Sequence, residues 1–115
     1  MNATVWGESM DPTGWLMSEK YDGMRLYWNG TVFMSRQGKK ALVPESMTSQ
    51  LPYFALDGEL WTQYGLYQEA VTLGMRSKPN DEKWQKAVFW VFDAPNMIDK
   101  TYQVFALFLI VLIGI

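Results

Sequence analysis

The sequence has no cysteine and no histidine. The first absence excludes a disulfide framework and thiolate-ligated zinc. The second removes serine-type triads, imidazole general bases and most zinc sites. Any catalysis must therefore run on lysine, arginine, aspartate, glutamate or tyrosine, with an oxygen-liganded metal as the expected helper. Excess positive charge is also missing. Ten Lys and Arg stand against twelve Asp and Glu, a formal net charge of −2, which argues against a generally basic coat for nucleic acid. The first fourteen residues have neither a basic start nor an apolar run, and they include Glu8 and Asp11. No secretory signal is read there, and an intracellular location is expected, nuclear or organellar in a eukaryote. There are no internal repeats and no low-complexity linker.

What is present can build a core. The chain has 115 residues, enough for one domain, with 49% hydrophobic and 16% aromatic side chains and six Trp. Large sheet-forming residues in that proportion predict a β-rich globule with some helix, an α+β class. Charge is uneven along it. Residues 18–40 carry Lys20, Arg25, Arg36, Lys39 and Lys40 against Glu19 and Asp22. Such a stripe can meet phosphates on a mildly acidic protein, and it also fits a solvated hairpin with ordinary surface cations.

Met10-Asp11-Pro12-Thr13-Gly14 is a turn signal, and Trp15-Leu16-Met17-Ser18 reads as a short strand end delivering the chain to Lys20. Residues 24–28 and 31–35 flank Asn29-Gly30, which predicts a hairpin with its turn on that pair. Alternation puts Arg25 and Tyr27 on one face and Met24, Leu26 and Trp28 on the other. Ser35-Arg36-Gln37-Gly38-Lys39-Lys40 is a polar turn, and residues 41–53 read as loop or weak helix. In Leu56-Asp57-Gly58-Glu59-Leu60-Trp61, period 2 sets Asp57 and Glu59 on one face with Leu56 and Leu60 opposite. Two carboxylates on one face of an apolar strand are costly unless they meet solvent, a ligand or a metal. Residues 67–75 predict a short helix, 79–81 a turn, 82–86 a charged approach, and 87–92 a buried strand. Residues 104–115 are all apolar or Gly.

Lys20-Tyr21-Asp22-Gly23-Met24-Arg25, Ser35-Arg36-Gln37-Gly38, Leu56-Asp57-Gly58-Glu59-Leu60-Trp61 and Phe89-Trp90-Val91-Phe92-Asp93 follow one another in an order that resembles the nucleotidyltransferase motifs of ATP-dependent DNA ligases, the minimal type above all. The resemblance covers residues 12–97. It implies the antiparallel-sheet-rich N-terminal part of a nucleotidyltransferase domain, ATP-grasp-like and shared with mRNA capping enzymes. Residues 1–101 would be a partial adenylation domain and 102–115 a hydrophobic tail.

By the same resemblance Lys20 attacks the α-phosphate of ATP, forms a lysyl-AMP, and AMP then passes to the 5′-phosphate of nicked DNA. A free lysine amine has a pKa near 10.4, so the site must favour the neutral form. The resemblance further gives Arg25 contacts to nucleotide and nick phosphate, Glu59 the ribose hydroxyls, and Phe92 the adenine face. It places Glu19 near the adenine amino edge, Arg36 on the nucleotide or nicked strand, and Asp57 in support of the site or its Mg2+. Lys39 and Lys40 are expected on DNA phosphates. Read without the resemblance, Phe92 fits plain core equally well, and Asp57 and Glu59 fit a solvated strand face.

The family continues with a Glu-Gly segment, a Lys-x-Lys segment and an OB domain that this sequence does not contain. The expectation is a truncated, monomeric ligase-like chain, weak or inactive, since losing one phosphate-neutralising contact commonly costs ~10²–10³ in rate. The twelve-residue tail, as helix, spans about 18 Å against a hydrocarbon core of ~30 Å, so membrane insertion is not expected. An aberrant end packed as strand or helix on an open core is the favoured reading. An RNA ligase, a capping-type guanylyltransferase, and a catalytically dead module holding nucleotide or DNA remain as alternatives.

Overall fold

Alternating residues after Gly23 form the first strand, β1 (Met24–Trp28), in a computed structural model that describes residues 4–15, 17, 19–76, 78, 82–96 and 111–113. It turns back into β2 (Phe33–Ser35), as the Asn-Gly signal predicts. The turn is wider than that pair alone. Trp28 stands opposite Phe33, which leaves residues 29–32 between the strands. The cause is the Asn29 side chain, whose Oδ1 accepts from the N–H of Thr31 at 2.9 Å and of Val32 at 2.8 Å. These local bonds satisfy amides that a two-residue turn would pair across the strands. Gly30 takes φ 99° at this corner, and a Cβ there would lie 2.4 Å from the Tyr53 carbonyl oxygen.

The polar turn after β2 leads to a two-residue strand, β3 (Lys40–Ala41), and then to a single helical turn, α1 (Glu45–Thr48). The expected carboxylate strand is β4 (Leu56–Trp61), and the expected helix is α2 (Tyr67–Arg76). A 3-10 turn (Glu82–Lys86) precedes β5 (Val88–Asp93), and β6 (Val111–Ile113) follows. The six strands make one antiparallel sheet in the order β3-β2-β1-β4-β5-β6. An antiparallel sheet with few helical segments agrees with the α+β expectation.

One face of the sheet carries the core. Leu26, Trp28, Phe33, Leu56, Leu60, Phe89 and Val91 bury there with Met47 of α1, Leu73 of α2 and Trp84. Truncating such a Leu or Phe to Ala costs about 2–5 kcal/mol. The two core indoles are satisfied: Trp28 Nε1 donates to the Pro52 carbonyl at 2.8 Å and Trp84 Nε1 to that of Lys78 at 3.1 Å. The opposite face presents Arg25, Tyr27, Asp57, Glu59, Trp61, Trp90 and Phe92, because side chains alternate along each strand.

Three expectations need adjustment. Trp15 and Met17 are exposed and belong to no strand; the Trp15 ring meets Trp6 edge-on at 6.2 Å instead. The charged approach at 82–86 is a 3-10 turn that buries Trp84. The expected buried strand buries only alternate residues, Phe89 and Val91, since its other face is lined by aromatics rather than packed in the core. Within the apolar tail, 111–113 pair as a strand against β5, with Trp90 opposite Val111 and Phe89 opposite Leu112. The expected turn at 79–81, the expected 101/102 boundary and the rest of the tail lie outside the described residues. Among the described residues no helix is long and apolar enough to cross a membrane.

Candidate functional site

The non-core face is built around the β1–β4 register, which sets Arg25 opposite Glu59 and Tyr27 opposite Asp57. Arg25 crosses to Asp57 in a two-point bond, Nε to Oδ1 at 3.1 Å and Nη2 to Oδ2 at 2.6 Å. The side chains are 27% and 8% exposed, so the pair is largely withdrawn from water. Hydrogen bonding to Asp57 raises the Arg25 pKa above its already high value, and burial opposes it. The guanidinium carbon lies 5.4 Å from the centre of the Phe92 ring. Phe92 is half-buried on this face and outside the core cluster.

Glu59 is half-buried beside this pair. Burial raises its carboxyl pKa, while a hydrogen bond from the Gly23 N–H and the charges of Lys20 and Arg25 pull it back; Asp22 raises it further. The Gly23 contact needs a bare backbone. A Cβ at Gly23 would lie 2.0 Å from the Leu60 carbonyl oxygen. The lysine-bearing loop is thereby pressed onto β4, with Lys20 exposed and in electrostatic reach of Glu59.

The residues beside Lys20 are held from the other side. Tyr64 Oη donates to Glu19 Oε1 at 2.5 Å. The Tyr21 ring stacks on Trp90 at 4.3 Å and 3°, and meets Trp61 edge-on at 5.2 Å. Trp61 also meets Tyr64 at 5.1 Å. Tyr21 titrates above its usual range through desolvation first, then through the charge of Glu19 and a hydrogen bond to it. Trp90 Nε1 is buried with no hydrogen-bond partner among the described residues.

Beside Arg25 a shallow groove of about 400 Å³ runs between Arg25, Tyr27, Arg36, Gly38 and Asp57. Arg36 lies on the β2–β3 turn, where Gly38 takes φ 82° and Ser35 N–H donates to the Lys39 carbonyl at 2.8 Å. Lys39 is exposed at the end of this turn and Lys40 at the start of β3.

No model of a known protein family matches the chain. A DNA ligase of Haemophilus influenzae is 40% identical to it over 83 residues, covering 72% of this chain. A solved structure from a structure-function analysis of Lig E DNA ligases, described as binding DNA with a minimal scaffold, superposes with a TM-score of 0.65 at 31% identity. It covers 76% of this chain. The chain is DNA ligase-like. It spans 30% of the length of the Haemophilus ligase and 34% of the solved chain, so it matches a part of each.

In this ligase-like chain the expected residues fall into two adjoining groups. Glu19, Lys20 and Glu59 gather where the lysine loop meets β4, and Arg25, Asp57 and Arg36 share the groove, with Phe92 under Arg25. Lys39 and Lys40 do not line the groove; they are exposed and follow Gly38, which does line it. For a metal, the described residues contain no cluster of three acidic ligands. Both Asp57 oxygens already carry the Arg25 guanidinium, so Asp57 does not fit a resident metal ligand in this arrangement. Mg2+ is commonly bound through substrate phosphates with few protein carboxylates, and that mode needs no such cluster. Sequence reasoning missed Tyr21, Trp61, Tyr64 and Trp90. Alternation could have found two of them: Trp61 lies two residues after Glu59, and Trp90 two before Phe92.

The Glu59 environment yields a pH prediction. A carboxyl whose folded pKa is raised above its ordinary 4.5 favours the folded state when protonated. That contribution is full below 4.5 and is lost as pH rises through the raised value. Glu59→Gln keeps an acceptor for the Gly23 N–H without the buried charge. It is expected to melt higher than the parent chain near pH 7, with the difference shrinking as pH falls toward 4.5. Thermal melts of both proteins between pH 4 and 8 check this.

Proposed function

We propose that this chain carries the nucleotide-accepting side of an ATP-dependent DNA ligase site, acting in nick sealing during DNA repair, replication or recombination. The observation that carries the reading is the exposed Lys20 amine, set by Gly23 against Glu59 and next to the Arg25–Asp57 pair in a ligase-like chain. The Lys20 nitrogen forms a bond to the α-phosphorus of ATP, the bond to the bridging oxygen breaks, and pyrophosphate leaves. The amine loses its proton to solvent, and a lysyl-AMP remains. Mg2+, when bound to the nucleotide, neutralises phosphate charge.

The chain's own residues supply the rest. Glu59 accepts hydrogen bonds from the ribose hydroxyls. Phe92 offers a ring to adenine, with Glu19 near the base edge. Arg25 and Arg36 point the groove toward nucleotide and nick phosphates, and Lys39 and Lys40 add contacts to the DNA backbone. AMP then moves to the 5′-phosphate of the nick, and the 3′-hydroxyl displaces it.

The test is incubation with α-labelled ATP and Mg2+, followed by denaturation. The expected result is a label that survives denaturation, disappears in Lys20→Ala, and is competed by ATP but not by GTP. A label independent of Lys20, or one competed by GTP, contradicts the reading. ATP binding without any label supports the alternative, a module that holds nucleotide without reacting.

A further inference from the structure

Lys20 is flanked by two side chains that are each tied to a different element. Glu19 is bonded by Tyr64, 45 residues away on the loop between β4 and α2, and Tyr21 is stacked on Trp90 of β5. Trp61 touches Tyr21, Tyr64 and Trp90, at centroid distances of 5.2, 5.1 and 6.3 Å, and joins them into one clasp. The clasp closes on the Glu19 carboxylate, which accepts the hydrogen bond from Tyr64. Core packing does not explain it. Tyr64 is 70% exposed, and none of these rings belongs to the buried cluster.

We propose that Tyr64 is a positioning residue for Lys20: its hydroxyl holds the Glu19 carboxylate in the aromatic clasp and away from the neighbouring amine. A carboxylate free to meet that amine would stabilise its ammonium form, which is no nucleophile. The other charged or titratable groups around the loop are Tyr21 and Asp22 on the loop itself, Glu59 on β4 and Arg25 on β1, and they remain in place when the Tyr64 hydroxyl is removed. Tyr64→Phe keeps the ring against Trp61 and deletes only the donor. The catalytic significance of this role rests on the reading of Lys20 as the nucleotide acceptor, while the geometry can be tested without nucleotide.

The test is brief acylation with isotopically coded acetic anhydride from pH 7 to 11, with each lysine followed by peptide mass spectrometry. It is run on the parent chain, Tyr64→Phe, Glu19→Gln and the double variant, with melts to show that all are folded. Tyr64→Phe is expected to acylate Lys20 about two- to fivefold more slowly below pH 9, the range set by an exposed ion pair, and to converge with the parent chain at high pH. Lys39 and Lys40 serve as internal references and keep their rates. Glu19→Gln in the Tyr64→Phe background restores Lys20. An unchanged Lys20 profile in Tyr64→Phe overturns the proposal. So does a loss that is uniform across pH and is not reversed by Glu19→Gln, since that pattern reports a disordered loop. Failure of Lys20 to take label from ATP would count against the ligase reading and leave this acylation pattern intact; the converse result would do the opposite.

Discussion

Gly23→Ala is expected to destabilise the chain by about 3 kcal/mol and to remove Lys20-dependent labelling altogether. The added methyl would lie 2.0 Å from the Leu60 carbonyl oxygen and 2.9 Å from its carbon. Both atoms are backbone in the middle of the sheet, so neither can give way as a flexible side-chain end would. The loop must lift instead. Lifting breaks the Gly23 N–H bond to Glu59, leaves a half-buried carboxylate less well solvated, and moves Lys20 off β4. A urea titration measures the stability change, and α-labelled ATP measures the acceptor. A midpoint within error of the parent chain would show that the loop is not pressed onto β4 as described.

Asp57→Asn is the second large effect. Asn keeps the shape of Asp57 but presents one neutral acceptor and an N–H2 to a guanidinium that now has no counter-charge in that position. Breaking a buried ion pair from one side costs 3–5 kcal/mol, and Arg25 is 27% exposed, so solvent recovers part of it. The expected loss is about 2–3 kcal/mol by chemical denaturation. Replacing both partners, as Arg25→Met with Asp57→Leu, is expected to recover most of that stability, because no charge is then stranded. The double variant should nevertheless bind nucleotide and nicked DNA no better than the single one. If it did, the groove beside Arg25 would not be a phosphate site.

These two positions show what could be read from residues alone. Period 2 placed Arg25 with Tyr27 and Asp57 with Glu59, and the structure keeps both groupings. That Arg25 would spend its fork on Asp57 follows from the β1–β4 register, which depends on the whole sheet and not on either strand. The Asn-Gly hairpin was legible, but its width was decided by the Asn29 side chain, which supplied turn bonds of its own. The run at 87–92 looked uniformly buried because an apolar sequence cannot distinguish core from an aromatic-lined site face. Tyr64 left no sequence signal. It sits in a loop without periodicity, and its partner Glu19 is 45 residues earlier.

The pairing of β1 with β4 also bears on how the chain avoids the wrong fold. Arg25 faces Glu59 and Tyr27 faces Asp57, while Leu26 faces Gly58 and Met24 faces Leu60. Slipping one strand past the other by a single residue would turn a guanidinium or two carboxylates into the leucine layer and bring Leu56 and Leu60 out to water. Such an error costs several kcal/mol, from unpaired buried charge and lost apolar burial together. The charged side chains of the open face thus also proofread strand alignment.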